Sequence, residues 1–137
     1  MGIDWISLIP SIVFTQLKSK FPSDIKTKYS MTDKNFSSAP VSNTPAVFPF
    51  ISVEPCPFSE DGKDLERTGI NCGNFAFQIE VTTKESAQGK TISKAIMKIM
   101  KRMEFDVNEF PLNPVIESDT YRYIARYSRN LSENDVL

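Results

Sequence analysis

Histidine does not occur among the 137 residues of this chain. The commonest general base, the commonest nitrogen ligand for metals and the usual pH switch are therefore missing, which excludes histidine-dependent triads and histidine-based zinc sites. Cysteine is scarce. Cys56 and Cys72 have no CxxC spacing and no histidine to complete a ligand set; without a signal peptide they read as reduced thiols, able to pair only if their segment forms a hairpin. Glycine is thinly spread. Of five glycines only Gly62 and Gly89 precede a lysine, and neither pair belongs to a Walker pattern, so phosphate-loop chemistry is unsupported. No apolar run is long enough to span a bilayer, and the N-terminus, with Asp4 and no basic stretch, does not read as a secretory signal. Glu54 and Glu80 have polar flanks rather than an apolar setting that would tune a pKa. No enzymatic activity, cofactor or metal is expected.

A net charge of -1 combined with 24% charged residues means that opposite charges nearly cancel. Bulk attraction to nucleic acid or membrane is not expected, although a local basic patch remains open. The length and a 40% hydrophobic content suit one domain, 1–137, with its own core.

Periodicity places the elements. Ile6, Ile9, Val13, Leu17 and Phe21 recur at the spacing of one helical face, predicting a helix from Asp4 to Phe21, with Pro10 either kinking it or opening its main part. A further short turn reaches Tyr29. Met31 to Ala46 is polar and reads as a long loop, either solvated or packed on a neighbouring subunit. Val47 to Glu54 reads as a strand in which Pro49 marks an edge or a start. Asn74 to Thr83 alternates cleanly, with Phe75, Phe77, Ile79 and Val81 on one side. Between these strands, Pro55 to Gly73 reads as a long hairpin loop carrying Glu60, Asp61, Asp64 and Glu66 against Lys63 and Arg67.

A second helix has Ile92, Ala95, Ile96, Ile99, Met100 and Met103 as its buried stripe, and Lys90, Lys94, Lys98, Lys101 and Arg102 on the wet side; Ser86 or Thr91 is the expected cap. That basic stripe is either a solvated face or a surface for an acidic partner. Phe105 to Pro114 reads as a turn-rich connection, Val115 to Glu117 as a short strand and Thr120 to Arg129 as a long one. Alternation sends Tyr121, Tyr123, Ala125 and Tyr127 to the core and leaves a basic outer face assigned to Arg122, Arg126 and Arg129. The tail, about 130–137, is expected to be loose, with Val136 and Leu137 available to a partner. The resulting order α-β-β-α-β-β predicts an α+β fold: a twisted antiparallel sheet of about four strands with two main helices on one face.

The run FPFISVEPC, the strand NFAFQIEV, the helix containing ISKAIMKIMKRM and the ending ESDTYRYIARYSRNL together resemble the tail terminator (tail completion) proteins of tailed bacteriophages. In that family a short helix precedes a strand of FPY-V-I type, a strand of H-x-L-x-L-x-V type, a helix and a last strand ending in an R-Y-R type segment. The matching positions are Phe48, Pro49, Phe50, Ile51 and Val53; Phe75, Phe77, Ile79 and Val81; and Tyr123, Ala125, Arg126 and Tyr127. The segments 31–46 and 55–73 are additions to that pattern. The resemblance implies a structural virion protein near the head-tail junction, assembled in the host cytoplasm. It would form a ring, commonly a hexamer, on the last tail tube subunits, stop tube polymerisation and offer a surface to a connector or neck protein. DNA would only pass through the ring.

On that reading Glu60, Asp61, Asp64, Glu66, Arg122, Arg126 and Arg129 are the candidate subunit or tube contacts. Two other readings compete with it. One is a head-side adaptor or stopper ring of the same virion. The other is a small nucleic-acid-binding sheet, since tyrosines interleaved with arginines can stack bases and hold phosphates.

Overall fold

The computed structural model describes residues 4–38, 47–60, 72–117, 119–132, 135 and 137, with the backbone alone at Asp4, Ser59 and Glu60. Its long strands arise where apolar residues alternate. β4 (Cys72–Thr83) buries Phe75, Phe77, Ile79 and Val81, and β7 (Thr120–Ser132) buries Tyr123, Ala125, Tyr127 and Leu131. The two strands pair antiparallel from Cys72 opposite Ser132 to Thr83 opposite Tyr121, forming the spine of the sheet. β2 (Phe50–Pro55) lies antiparallel on the other side of β4, placing Ile51 and Val53 in the same core.

The fold is α+β, as the element order predicts, but the sheet is larger than four strands. Among the described residues it has seven, ordered β1-β2-β4-β7-β5, with β3 beside β4 and β6 beside β7. The additional strands are short. β1 (Phe36–Ser37) pairs parallel with β2, and β3 (Ser59–Glu60) pairs with Gly73 and Asn74 at the foot of β4. β5 (Asp106–Glu109) and β6 (Val115–Glu117) share the outer side of β7. Segment 105–114 is therefore part strand, and its β5 escapes sequence patterning because three of its four residues are polar and exposed.

The helices cover one face of the sheet. α1 (Asp4–Lys20) buries Ile9, Val13 and Leu17, and the chain leaves it through buried Phe21; Pro10 sits inside its second turn, so Ile6 receives no hydrogen bond from residue 10. Trp5 meets Phe75 edge to face at 5.7 Å. α2 (Ser23–Lys28) is the expected short turn. α3 (Ser86–Arg102) carries its buried stripe against β4 and β7. Neither expected residue caps it: Glu85 is the N-cap and makes no side-chain cap bond, Thr91 Oγ1 bonds back to the Ala87 carbonyl, and Ser86 engages Tyr123.

That engagement fixes the start of α3 on the sheet. The Tyr123 hydroxyl lies 2.8 Å from Ser86 Oγ and donates to the Ser86 carbonyl at 2.9 Å. Gly89, one turn on, sits over the same ring; a Cβ there would stand 2.5 Å from Tyr123 Cδ1 and closer still to Cε1.

Two helix ends use a left-handed residue that is not glycine. After α3, Glu104 has φ 64°, its N–H reaches the Lys101 carbonyl at 2.9 Å, and Phe105 N–H reaches the Met100 carbonyl at 3.0 Å. After α2, Ser30 has φ 54°, with N–H bonds from Ser30 to Thr27 and from Met31 to Lys26. Both have the Schellman pattern, and the residue that follows each, Phe105 or Met31, turns into the core.

Segment 31–38 is not a solvated loop, nor is it left over for a neighbour. Met31 and Phe36 are buried, Phe36 packs edge to face on Phe21, and buried Asn35 donates from Nδ2 to the Pro49 carbonyl at 2.6 Å. Residues 39–46 lie outside the described residues. The ends of the expected 55–73 loop also belong to the sheet: Cys56 N–H bonds to the Ala76 carbonyl, and β3 follows. Nor is the C-terminal segment loose at its start. β7 runs on to Ser132 with Leu131 buried, and Leu137 packs against this chain's own core; Val136 lies outside the described residues.

One core group is costly where it sits. The Tyr127 hydroxyl is buried with no hydrogen-bond partner among the described residues, and burial raises its pKa well above the ordinary 10.0. Tyr127→Phe is expected to stabilise the fold by about 1–2 kcal/mol, because an unpaired buried hydroxyl loses its hydration without compensation. A raised native pKa means that the unfolded chain loses this proton first as pH climbs. The stability present below about pH 10 therefore falls as pH rises towards the native value. Urea unfolding from neutral to strongly alkaline pH should give a shallower decline for the variant; equal slopes would rule out the titration argument.

Candidate interaction surfaces

The sheet face away from the helices carries the polar positions of β4 and β7. Their register puts Asn74 opposite Asn130 and Gln78 opposite Arg126, while Glu80 lies diagonal to Arg122. The side chains complete these pairings. Asn74 Nδ2 donates to Asn130 Oδ1 at 2.9 Å, Arg126 Nε to Gln78 Oε1 at 3.0 Å, and Arg122 Nη2 to Glu80 Oε1 at 2.6 Å. Arg122 also holds Glu117 at 2.8 Å, and Arg126 holds Glu109 at 3.4 Å. The hydrogen bond to Glu80 is the largest influence raising the Arg122 pKa, so this guanidinium stays cationic. With Glu80 only 13% exposed, that pair is worth on the order of 1 kcal/mol, and the exposed pairs less.

Arg122 and Arg126 are thus on the outer face, as alternation predicts, but they are matched by carboxylates of their own chain. Arg129 is not on that face. It has the parity of Tyr127 and Leu131 and lies on the helix side, where Nη1 donates to the Met103 carbonyl at 2.7 Å and Nη2 approaches Glu104 at 3.4 Å. A cation at this place satisfies an orphan carbonyl and complements the negative end of α3, which is a structural task. Only the backbone of Glu60 is described, paired with Gly73; Asp61, Asp64 and Glu66 lie outside the described residues.

A second charged surface lies on the helix layer. Lys20, Pro22, Asp24 and Ile25, from the end of α1 and from α2, face Thr91, Lys94, Ala95, Lys98, Ile99 and Arg102 of α3 across an open groove of about 370 Å³. Its floor is partly apolar. Lys90, Lys94, Lys98 and Arg102 follow one another at four-residue intervals, so they form one row along α3. Among the described residues none of these four, nor Lys20, has an ion-pair partner within 4.0 Å. Sequence periodicity marks the α3 row as a wet face but cannot show Lys20 and Asp24 opposite it, because α2 is brought there by tertiary packing.

Cys56 and Cys72 are free, half-buried thiols. Among the described residues no cluster of three or more Cys, Asp or Glu is placed to hold a metal ion, and no helix is long and apolar enough to cross a membrane. No protein-family model matches the chain, and no curated protein matches it at a significant level.

Proposed function

We propose that this chain is a tail terminator of a tailed bacteriophage, a subunit that closes into a ring on the end of the tail tube, stops its growth and offers a surface for head or neck attachment. One observation supports the reading most: the segments that carry the resemblance fall on the four long central elements β2, β4, α3 and β7, in the family's order after an N-terminal helix. Reduced to its long elements and the β6 edge, the chain follows the α-β-β-α-β-β scheme. The mechanism is binding without turnover. A heterologous contact repeated around an axis closes a ring, whereas the tube beneath it grows by stacking.

The arginines of the open face favour this reading over a nucleic-acid-binding sheet, since Arg122 and Arg126 are engaged by Glu80, Glu117 and Glu109 and would have to exchange those partners for phosphate. Electron microscopy of the purified protein mixed with tail tubes is expected to show ring-sized particles seated on tube ends. Monomers in light scattering that never decorate a tube end would refute the proposal. A label found at the portal instead would favour the head-side connector.

A further inference from the structure

We infer that the groove between α2 and α3 is the socket for the acidic segment 60–66 of a second copy of this chain. The inference rests on the ring reading for the identity of its occupant and goes beyond it by locating the subunit contact. The argument begins with charge. The row Lys90, Lys94, Lys98 and Arg102 places like charges four residues apart three times, and each such pair weakens a helix by roughly 0.2–0.5 kcal/mol. Elsewhere the fold neutralises its exposed arginines with its own carboxylates; here it leaves the cations unmatched beside a groove containing one acid, Asp24.

The complementary charge is in the same sequence. Segment 60–66 reads Glu-Asp-Gly-Lys-Asp-Leu-Glu, with four acids against one lysine, and it includes Leu65 for a floor that has Ile25, Ala95 and Ile99. Docking within one chain fails on reach. The segment is rooted beside Asn74, next to Phe75 and so near Trp5, whereas Lys20 lies fifteen residues further along α1, about 22 Å away. Residues 61–71, tethered at both ends, extend at most about 18 Å from their root. The Lys20–Asp24 end of the groove is thus beyond the reach of this chain's own loop and open to a neighbour's. Socket and plug at separate places on one subunit define a head-to-tail contact.

Two charge-reversal variants of the full chain test this by light scattering: Lys94→Glu with Lys98→Glu, and Asp61→Lys with Asp64→Lys. Lys94 and Lys98 are exposed, so folding should survive, as circular dichroism will show. Each variant alone should assemble at least about tenfold more weakly than the parent, and an equimolar mixture should regain assembly, because alternating subunits then match at every contact. Rings that form unaltered from either variant would overturn the socket while leaving the ring reading intact. If the parent chain is monomeric, the ring reading loses its support and the socket is judged by titrating the isotopically labelled chain with a peptide of residues 58–68. Amide shifts centred on Thr91, Lys94 and Lys98 that vanish at high salt support it; no shifts there, or displacement of the peptide by a short oligonucleotide that binds more tightly, overturn it.

Discussion

Gly89→Ala is expected to destabilise the protein by about 2–3 kcal/mol, even though alanine is the better helix former by about 1 kcal/mol. The reason is the Tyr123 ring. It is 1% exposed and pinned through its hydroxyl to Ser86, so it cannot swing away from the new methyl group, and the backbone of α3 must move instead. Urea unfolding should show a lower midpoint with an unchanged slope. In a Tyr123→Leu background the same substitution should cost distinctly less, because the two positions are in contact and their effects do not add. Equal costs in the two backgrounds would mean that the clash is not the cause.

Phe105→Ala is expected to remove about 3–5 kcal/mol, the range for deleting a fully buried phenylalanine. Phe105 has no exposed surface, meets Phe77 edge to face at 5.7 Å, and its N–H closes the C-terminus of α3 on Met100. The residue is at once the stop of a helix and the entry to β5. Phe105→Leu, which keeps much of the volume, should cost less than about 1.5 kcal/mol. Thermal and urea denaturation will separate the two; similar losses from both would show that the backbone turn, and not the ring, carries the stability.

The long elements were legible because burial imposes a period. Phe75 to Val81 must alternate on a sheet covered by helices on one side, and Ile92 to Met103 must follow the turn of a helix. What escaped had no period to display. A two-residue strand such as β1 cannot alternate, and β5 is polar because it lies at the rim of the sheet. The stops after α2 and α3 were hidden for another reason. Glycine is the usual left-handed residue at a helix end, and here Ser30 and Glu104 take that conformation, so the residue type that signals the stop is absent.

The candidate site was legible in part. Alternation placed Arg122 and Arg126 correctly, and carried through to Leu131 it would also have turned Arg129 inward. Alternation names a face but not the partner that shares it. The carboxylates of Glu80, Glu109 and Glu117 come to the arginines through strand register and short edge strands, which a single sequence does not display.

The rims of the sheet bear on how this protein avoids unwanted growth. On one side β1 pairs only with Ile51 and Ser52, and Pro49 and Pro55, which have no N–H to offer, bracket the remainder of β2. On the other, the irregular register of β5 between Val107 and Glu109, followed by Pro111 and Pro114 before β6, breaks the edge into two short pieces. Short, bulged and proline-marked edges are poor templates for an incoming strand. Free subunits are thus discouraged from zipping into fibres, and copies must recognise one another through side chains, whose fit, unlike a backbone ladder, can be satisfied a fixed number of times.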